Sequence, residues 1–122
     1  MKVGFDYWQV LSHYPEQFKV LVNSLFCAGH QVYVLSAVGK NRAGTVKDEV
    51  TKLGFDIPVY EVAFDDTHQS PALKLAKCQE LGIEMFFDDR EDVCRLLNQH
   101  GILAVQVMRK DGDAQDLQAE RA

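Results

Sequence analysis

The sequence predicts a three-layer α/β domain: a doubly wound, parallel, five-stranded sheet flanked by helices, with no cap domain. Three observations predict it. Five short apolar runs alternate with four segments of helical periodicity. The runs are continuous in Val, Ile, Phe and Tyr, as in strands covered on both faces, rather than alternating apolar with polar. Gly29, Gly54, Gly82 and Gly101 each fall just past a helical segment, where a left-handed C-cap is wanted.

The elements follow in order. Lys2–Asp6 is the first strand, and the segment Pro15–Ala28 after it places Phe18, Leu21, Val22 and Leu25 on one stripe. Gln31–Ser36 is the second strand, followed by a short helix Thr45–Leu53 that groups Val46, Val50 and Leu53. Pro58–Phe64 is the third. The next helix, Ser70–Leu81, has Ser at the cap position, Pro71 in the first turn and an apolar set of Leu73, Ala76 and Leu81. Ile83–Phe87 is the fourth strand, Glu91–His100 a helix carrying Val93, Leu96 and Leu97, and Ile102–Met108 the fifth strand. Right-handed crossovers then make the sheet parallel. Residues 1–108 form one domain, and the polar stretch 109–122 is a tail, either a short helix or frayed chain.

At 122 residues the chain buries enough surface for one core and not for two. A content of 47% hydrophobic and 25% charged residues excludes disordered and collagen-like classes. No apolar stretch is long enough to span a bilayer, and Asp6 arrives too early for a signal peptide, so a cytoplasmic location and no membrane partner are expected. Thirteen basic against eighteen acidic residues, a net charge of −5, argue against nucleic acid as a partner. Cys27, Cys78 and Cys94 form no CxxC, and no Cys/His pair has zinc-ligand spacing. Reduced thiols are expected.

In a doubly wound sheet the strand C-termini share one edge, and ligands bind there. Asp6, Ser36, Asp65 with Asp66, and Asp88 with Asp89 fall at that edge. Acids gathered together repel unless a cation neutralises them, and oxygen-only donors favour Mg²⁺. Each signal also has a plainer meaning. Asp6 caps a turn equally well, and Asp88-Asp89 precede a helix N-terminus, which attracts acids. Lys74 and Lys77 lie on nearly one helix face, either solvated or holding a phosphate beside the carboxylates. Gly39-Lys40-Asn41-Arg42 adds two cations near the presumed mouth without the Gly-x₄-Gly-Lys order of a P-loop. His30, His68 and His100 suggest no ligand set or triad, and no Gly-x-Ser-x-Gly elbow is present.

Taken together, the order of Asp after strand one, Ser after strand two, Lys early in a later helix and an acidic pair after strand four resembles the four motifs of the haloacid dehalogenase-like superfamily. The resemblance runs from Lys2 to about Met108. Ala28-Gly29-His30-Gln31-Val32-Tyr33-Val34-Leu35-Ser36 is similar to the second motif, and Phe86-Phe87-Asp88-Asp89-Arg90 with its flanks to the last. Short, capless, nucleotidase-like members are nearest. The resemblance implies that Asp6 is a nucleophile forming an aspartyl-phosphate, that Ser36 hydrogen-bonds the phosphoryl oxygens, and that Lys74 rather than Lys77 neutralises charge. Asp6, the Trp8 carbonyl, Asp88 and Asp89 would hold Mg²⁺, with Asp92 behind them. From the residues themselves, Lys40 and Arg42 either contact a substrate phosphate or sit in a solvated loop, and Trp8 with Tyr7, His13 and Tyr14 either wall the mouth or pack under the first helix.

The phosphatases of that family carry a general-acid Asp two residues after the nucleophile, where this chain has Trp8. The implied activity is therefore a weak, Mg²⁺-dependent phosphohydrolase, with a non-catalytic metal-binding module or different leaving-group chemistry as alternatives. Only about eight residues separate Asp6 from the helix at Pro15, too few for a cap. An open site implies either a small phosphorylated substrate, a larger one, or closure by a second copy in a homo-oligomer. A response-regulator receiver would place its acidic pair after the first strand instead, and fits less well.

Overall fold

The structure, a computed structural model, describes residues 1–109. The helix or frayed tail expected beyond Arg109 lies outside the described residues. Five strands, β1 (Lys2–Phe5), β2 (Gln31–Gly39), β3 (Val59–Phe64), β4 (Met85–Asp88) and β5 (Leu103–Gln106), form one sheet in the order β3-β2-β1-β4-β5. Every pairing is parallel. Four helices, α1 (Pro15–Cys27), α2 (Val46–Lys52), α3 (Ser70–Leu81) and α4 (Glu91–Gln99), connect them.

The sheet separates two cores. On one face α1 and α2 pack Phe18, Val22, Val46 and Val50 onto Val3, Phe5, Val34 and Val38. On the other, α3 and α4 pack Cys78, Val93 and Leu97 onto Leu35 and Phe86. This is the doubly wound, three-layer arrangement, without a cap among the described residues. Phe5 is fully buried, stacked on Phe87 at 4.8 Å with Phe18 edge-on at 5.6 Å. Burying such a ring stabilises by about 1.5–3 kcal/mol. Gly4 is required where β1 meets β4: a Cβ there would stand 2.6 Å from Phe86 Cδ1.

Helix ends follow the expected chemistry, with one shift. Gly82 closes α3 in the left-handed conformation, and its N–H caps the Cys78 and Gln79 carbonyls. Ser70, expected as the cap of α3, is instead its first helical residue, and its buried Oγ has no hydrogen-bond partner. A 3₁₀ turn, Thr67–Gln69, precedes it, and Asp66 and Gln69 close a capping box around that turn. The second correction concerns Ser36, which does not close its strand. β2 runs on to Gly39 because β3 pairs with it from Val34 to Gly39, past the level where β1 stops.

Candidate active site

β1 leads toward β2 on one side and β4 toward β5 on the other, so the loops after β1 and β4 diverge at the reversal of strand order. Asp6 leaves β1 at this point, and its amide donates to the Phe87 carbonyl at 2.9 Å, tying the two strand ends together. Asp88 ends β4 and Asp89 follows. Carboxylate oxygens of Asp6, Asp88 and Asp89 lie within 4.8 Å of one another, all three residues buried. Among the described residues this is the one such grouping of acids, cysteines or histidines.

Each carboxylate is fixed by defined donors. Asp6 Oδ1 accepts the Tyr7 amide at 2.8 Å and the Ser36 hydroxyl at 3.2 Å. Ser36 reaches it because β2 continues beside the end of β1. Asp88 Oδ1 accepts the Arg90 amide at 2.9 Å. Lys74, one turn into α3, extends its Nζ to 2.5 Å from Asp88 Oδ2 and 3.3 Å from Asp6 Oδ2, with no solvent exposure of its side chain. A buried ammonium is tolerated only when paired in this way. Lys77 points elsewhere, to Glu80 at 2.8 Å and over the Tyr60 ring.

The chain runs from Asp6 into a wide turn, Tyr7–Leu11, closed by the Ser12 amide on the Tyr7 carbonyl. Gln9 adopts a left-handed φ of 63° within it, and its amide donates to Ser12 Oγ at 3.0 Å. A left-handed non-glycine residue costs about 1–3 kcal/mol and persists only where its surroundings hold it. Trp8 packs edge-on to Tyr7, and the Arg42 guanidinium stands 5.3 Å from the centre of its ring. The indole Nε1 is buried with no hydrogen-bond partner.

Of the remaining residues read from the sequence, several lie away from the carboxylates. Lys40 pairs with Asp65 at 2.9 Å on exposed surface. Asp92 pairs with Arg90 rather than backing the cluster. Tyr7 is buried in the core with its hydroxyl on Glu49, so it anchors the turn and does not line a mouth. His13 pairs with Ser12, and Tyr14 donates to the Met108 carbonyl. Asp66 is held below the usual carboxylate range, first by the His68 amide and then by its ring.

Two features of the site went unread in the sequence. Arg109, placed there with the tail, donates from Nε to Asp89 Oδ2 at 2.7 Å. Its legible signal was position, because a residue just past β5 reaches the same edge as residues past β1 and β4. The segment before it is held by the Val107 amide on the Asp88 carbonyl and by Gln106 on the Asp89 carbonyl. The second is closure. No cap is present among the described residues, yet Asp6, Ser36 and Lys74 have no exposed surface, so the site expected to be open is closed.

The donor set defines the chemistry available. Three carboxylates gather with two cations, Lys74 and Arg109, in a site almost without solvent exposure. Oxygen donors of this kind suit a hard divalent cation. Burial pushes the thiols of Cys78 and Cys94 up to about 12, so both stay neutral beside the cluster and offer no thiolate.

No family model and no curated protein matches the chain. Several solved structures are similar to it, two of them as follows. One is a chain of the Pnkp1/Rnl/Hen1 RNA repair complex, with a TM-score of 0.66 and 16% identity over 90% of this chain. The alignment covers 43% of that chain, so this sequence spans less than half its length. The other is an uncharacterized protein from Corynebacterium glutamicum, with a TM-score of 0.60 and 16% identity over 97% of this chain and 92% of that one. At such identities the likeness shows the fold alone: a parallel α/β sheet of the Rossmann-like kind.

Proposed function

We propose that this chain is a capless, haloacid dehalogenase-like phosphohydrolase that passes a phosphoryl group through Asp6 with Mg²⁺. One observation carries the reading: buried Lys74 bridges Asp6 and Asp88 inside a three-carboxylate cluster. A structural salt bridge needs one acid for one lysine. Three acids gathered with Lys74 and Arg109 at a topological switch point suit a site that takes both a cation and an anion.

The residues then have distinct tasks. Asp6 attacks phosphorus, and its carboxylate is already oriented by the Tyr7 amide and Ser36. Lys74 stabilises negative charge on Asp6 and on the transferring group, in a dry site where such stabilisation is strong. Ser36 donates to the same carboxylate and stands ready for a phosphoryl oxygen. Asp6, Asp88 and Asp89, with the Trp8 carbonyl, would hold Mg²⁺, which supplies charge neutralisation at phosphorus. Since Asp89 is engaged by Arg109 and Asp6 is covered, loading the site requires Arg109 to let go.

Purified protein assayed on phosphorylated compounds with and without Mg²⁺ tests this. Turnover should require Mg²⁺ and fall at least about 10³-fold in Asp6→Asn, whose amide is not a nucleophile. Activity that persists in Asp6→Asn removes Asp6 from the chemistry. The full burial of Asp6 and the Trp8 substitution favour a second reading, a metal-binding module that no longer turns over. Mg²⁺ binding without turnover of any phosphorylated compound would decide for it.

A further inference from the structure

Resting on the divalent-ion reading of the carboxylate cluster, we infer that residues 107–109 are an autoinhibitory strap. In the resting chain Arg109 occupies Asp89, and Asp89 opens to a divalent cation only when the strap swings aside. The guanidinium and the cation seek the same carboxylate. Arg109 Nε donates to Asp89 Oδ2 at 2.7 Å, inside the group formed by Asp6, Asp88 and Asp89. A cation bonded to Asp89 would stand within a few ångströms of that guanidinium. Two like charges so close repel strongly where solvent screens little, and Asp89 is buried.

The strap has a fixed end and a loose one. At the fixed end Gln106 Nε2 donates to the Asp89 carbonyl at 3.3 Å, and the Val107 amide donates to the Asp88 carbonyl at 2.8 Å. β5 ends at Gln106, so the chain beyond Val107 has left the sheet. There the Tyr14 hydroxyl donates to the Met108 carbonyl at 2.9 Å in an exposed bond, and the Met108 side chain lies open to solvent. A segment with little apolar burial and an exposed backbone hydrogen bond opens at low free energy. Rotation about Val107 is therefore opposed chiefly by polar contacts.

A second seat for Arg109 lies beside the first. A cavity of about 290 Å³ adjoins the strap, lined by Asp89, Arg90, Glu91, Asp92 and Arg109. Glu91 and Asp92 are about half exposed and pair with Arg95 and Arg90. Exposed pairs of this kind are weak, so either acid can receive a further guanidinium. Swinging out trades one buried carboxylate for two exposed ones, which gives the strap two states. The same cavity puts the way into the cluster beside α4, because Asp89 stands on its wall while Asp6 is covered. Only the open fraction binds a cation, so the strap weakens the apparent affinity by that fraction.

Proton–nitrogen NMR of the full chain titrated with Mg²⁺ tests this on the wild type, Tyr14→Phe and Arg109→Gln. In the metal-free wild type the Arg109 Nε–H, identified by its loss in Arg109→Gln, should exchange slowly with solvent. It should lose that protection as Mg²⁺ saturates, while the Val107 amide keeps its own. Tyr14→Phe takes one bond from the strap and no group from the cluster. It should speed exchange of the Arg109 Nε–H and tighten Mg²⁺ binding by the same factor, about two- to tenfold. Mg²⁺ binding by Arg109→Gln alone would support the strap in its tightest form. Saturation with the Nε–H still protected would overturn it, as would a Tyr14→Phe variant that matches the wild type in both measurements. Absence of Mg²⁺ binding in the wild type and in Arg109→Gln alike would overturn the divalent-ion reading beneath it instead.

Discussion

Lys74 is the residue on which the cluster depends. Replacing it by Met takes from Asp6 and Asp88 the buried cation they share, a change that costs about 3–5 kcal/mol when one partner of a buried pair is lost. Chemical denaturation should show that loss, and Mg²⁺ should restore part of it by supplying the missing positive charge. The cysteines give a second check. Cys27 is exposed, whereas Cys78 and Cys94 are buried with thiols raised from 9.0 to about 12. Alkylation at neutral pH should modify Cys27 alone until the protein unfolds. A thiol whose folded pKa lies above its unfolded one contributes no pH dependence below about 9, and its stability is lost as pH rises from there toward 12. Melting temperature should fall over that window, and less steeply in Cys78→Ala measured against its own neutral-pH value. At this scale the sequence was readable where a residue type has few uses. Adjacent acids after a buried strand, and a lysine one turn into a helix, sit together as their chemistry requires. Gln9 was not readable, because nothing in Tyr-Trp-Gln-Val-Leu announces a left-handed residue; the turn is imposed by Ser12 and by burial.

Among the elements, β1 and the segment after β5 carry the clearest consequences. Gly4→Ala should lower the denaturation midpoint with an unchanged slope. The added Cβ meets Phe86 and Ile83, and overpacking of about 1–3 kcal/mol outweighs the ~0.4–1 kcal/mol gained in chain entropy. Arg109 competes with any cation for Asp89 Oδ2. Arg109→Gln should therefore tighten Mg²⁺ binding by roughly tenfold, or about 1.4 kcal/mol, in a calorimetric titration. Weaker binding in that variant would mean that Arg109 holds Asp89 in place for the ion instead. Strands and helices were legible because their apolar periods differ, and their bounds moved by no more than two residues except at β2. That strand ran three residues further than its apolar pattern suggested because strand length is set by a partner. Gly39 belongs to β2 only through its pairing with Phe64. Ser70 lies inside α3 because a 3₁₀ turn closed by Asp66 and Gln69 leads straight into the helix, whose own N-cap, Gln69, makes no side-chain cap hydrogen bond.

For the whole molecule, a single topology gathers the chemistry. With the order β3-β2-β1-β4-β5, residues 6, 36, 74, 88, 89 and 109, most of them distant in sequence, meet in one cluster at the C-terminal edge of the sheet. Sequence order alone does not say how tightly they meet, and the sealing of Asp6 without a cap could be seen only after folding. None of the helices is long and apolar enough to cross a membrane among the described residues. Because only folding brings the three carboxylates together, the folded state should bind divalent cations and the unfolded chain should not. At a hundredfold excess over the dissociation constant this adds about 2.7 kcal/mol, visible as a rise in melting temperature that Asp89→Asn abolishes.

The central claim, that Asp6 accepts a phosphoryl group beside a bound divalent ion, is tested most directly by fluorine NMR of the protein with fluoroberyllate and Mg²⁺. A bound resonance at one equivalent per chain, lost on omitting Mg²⁺ and in Asp6→Asn, is the predicted result. No bound resonance in the wild type, or one that survives in Asp6→Asn, would contradict it.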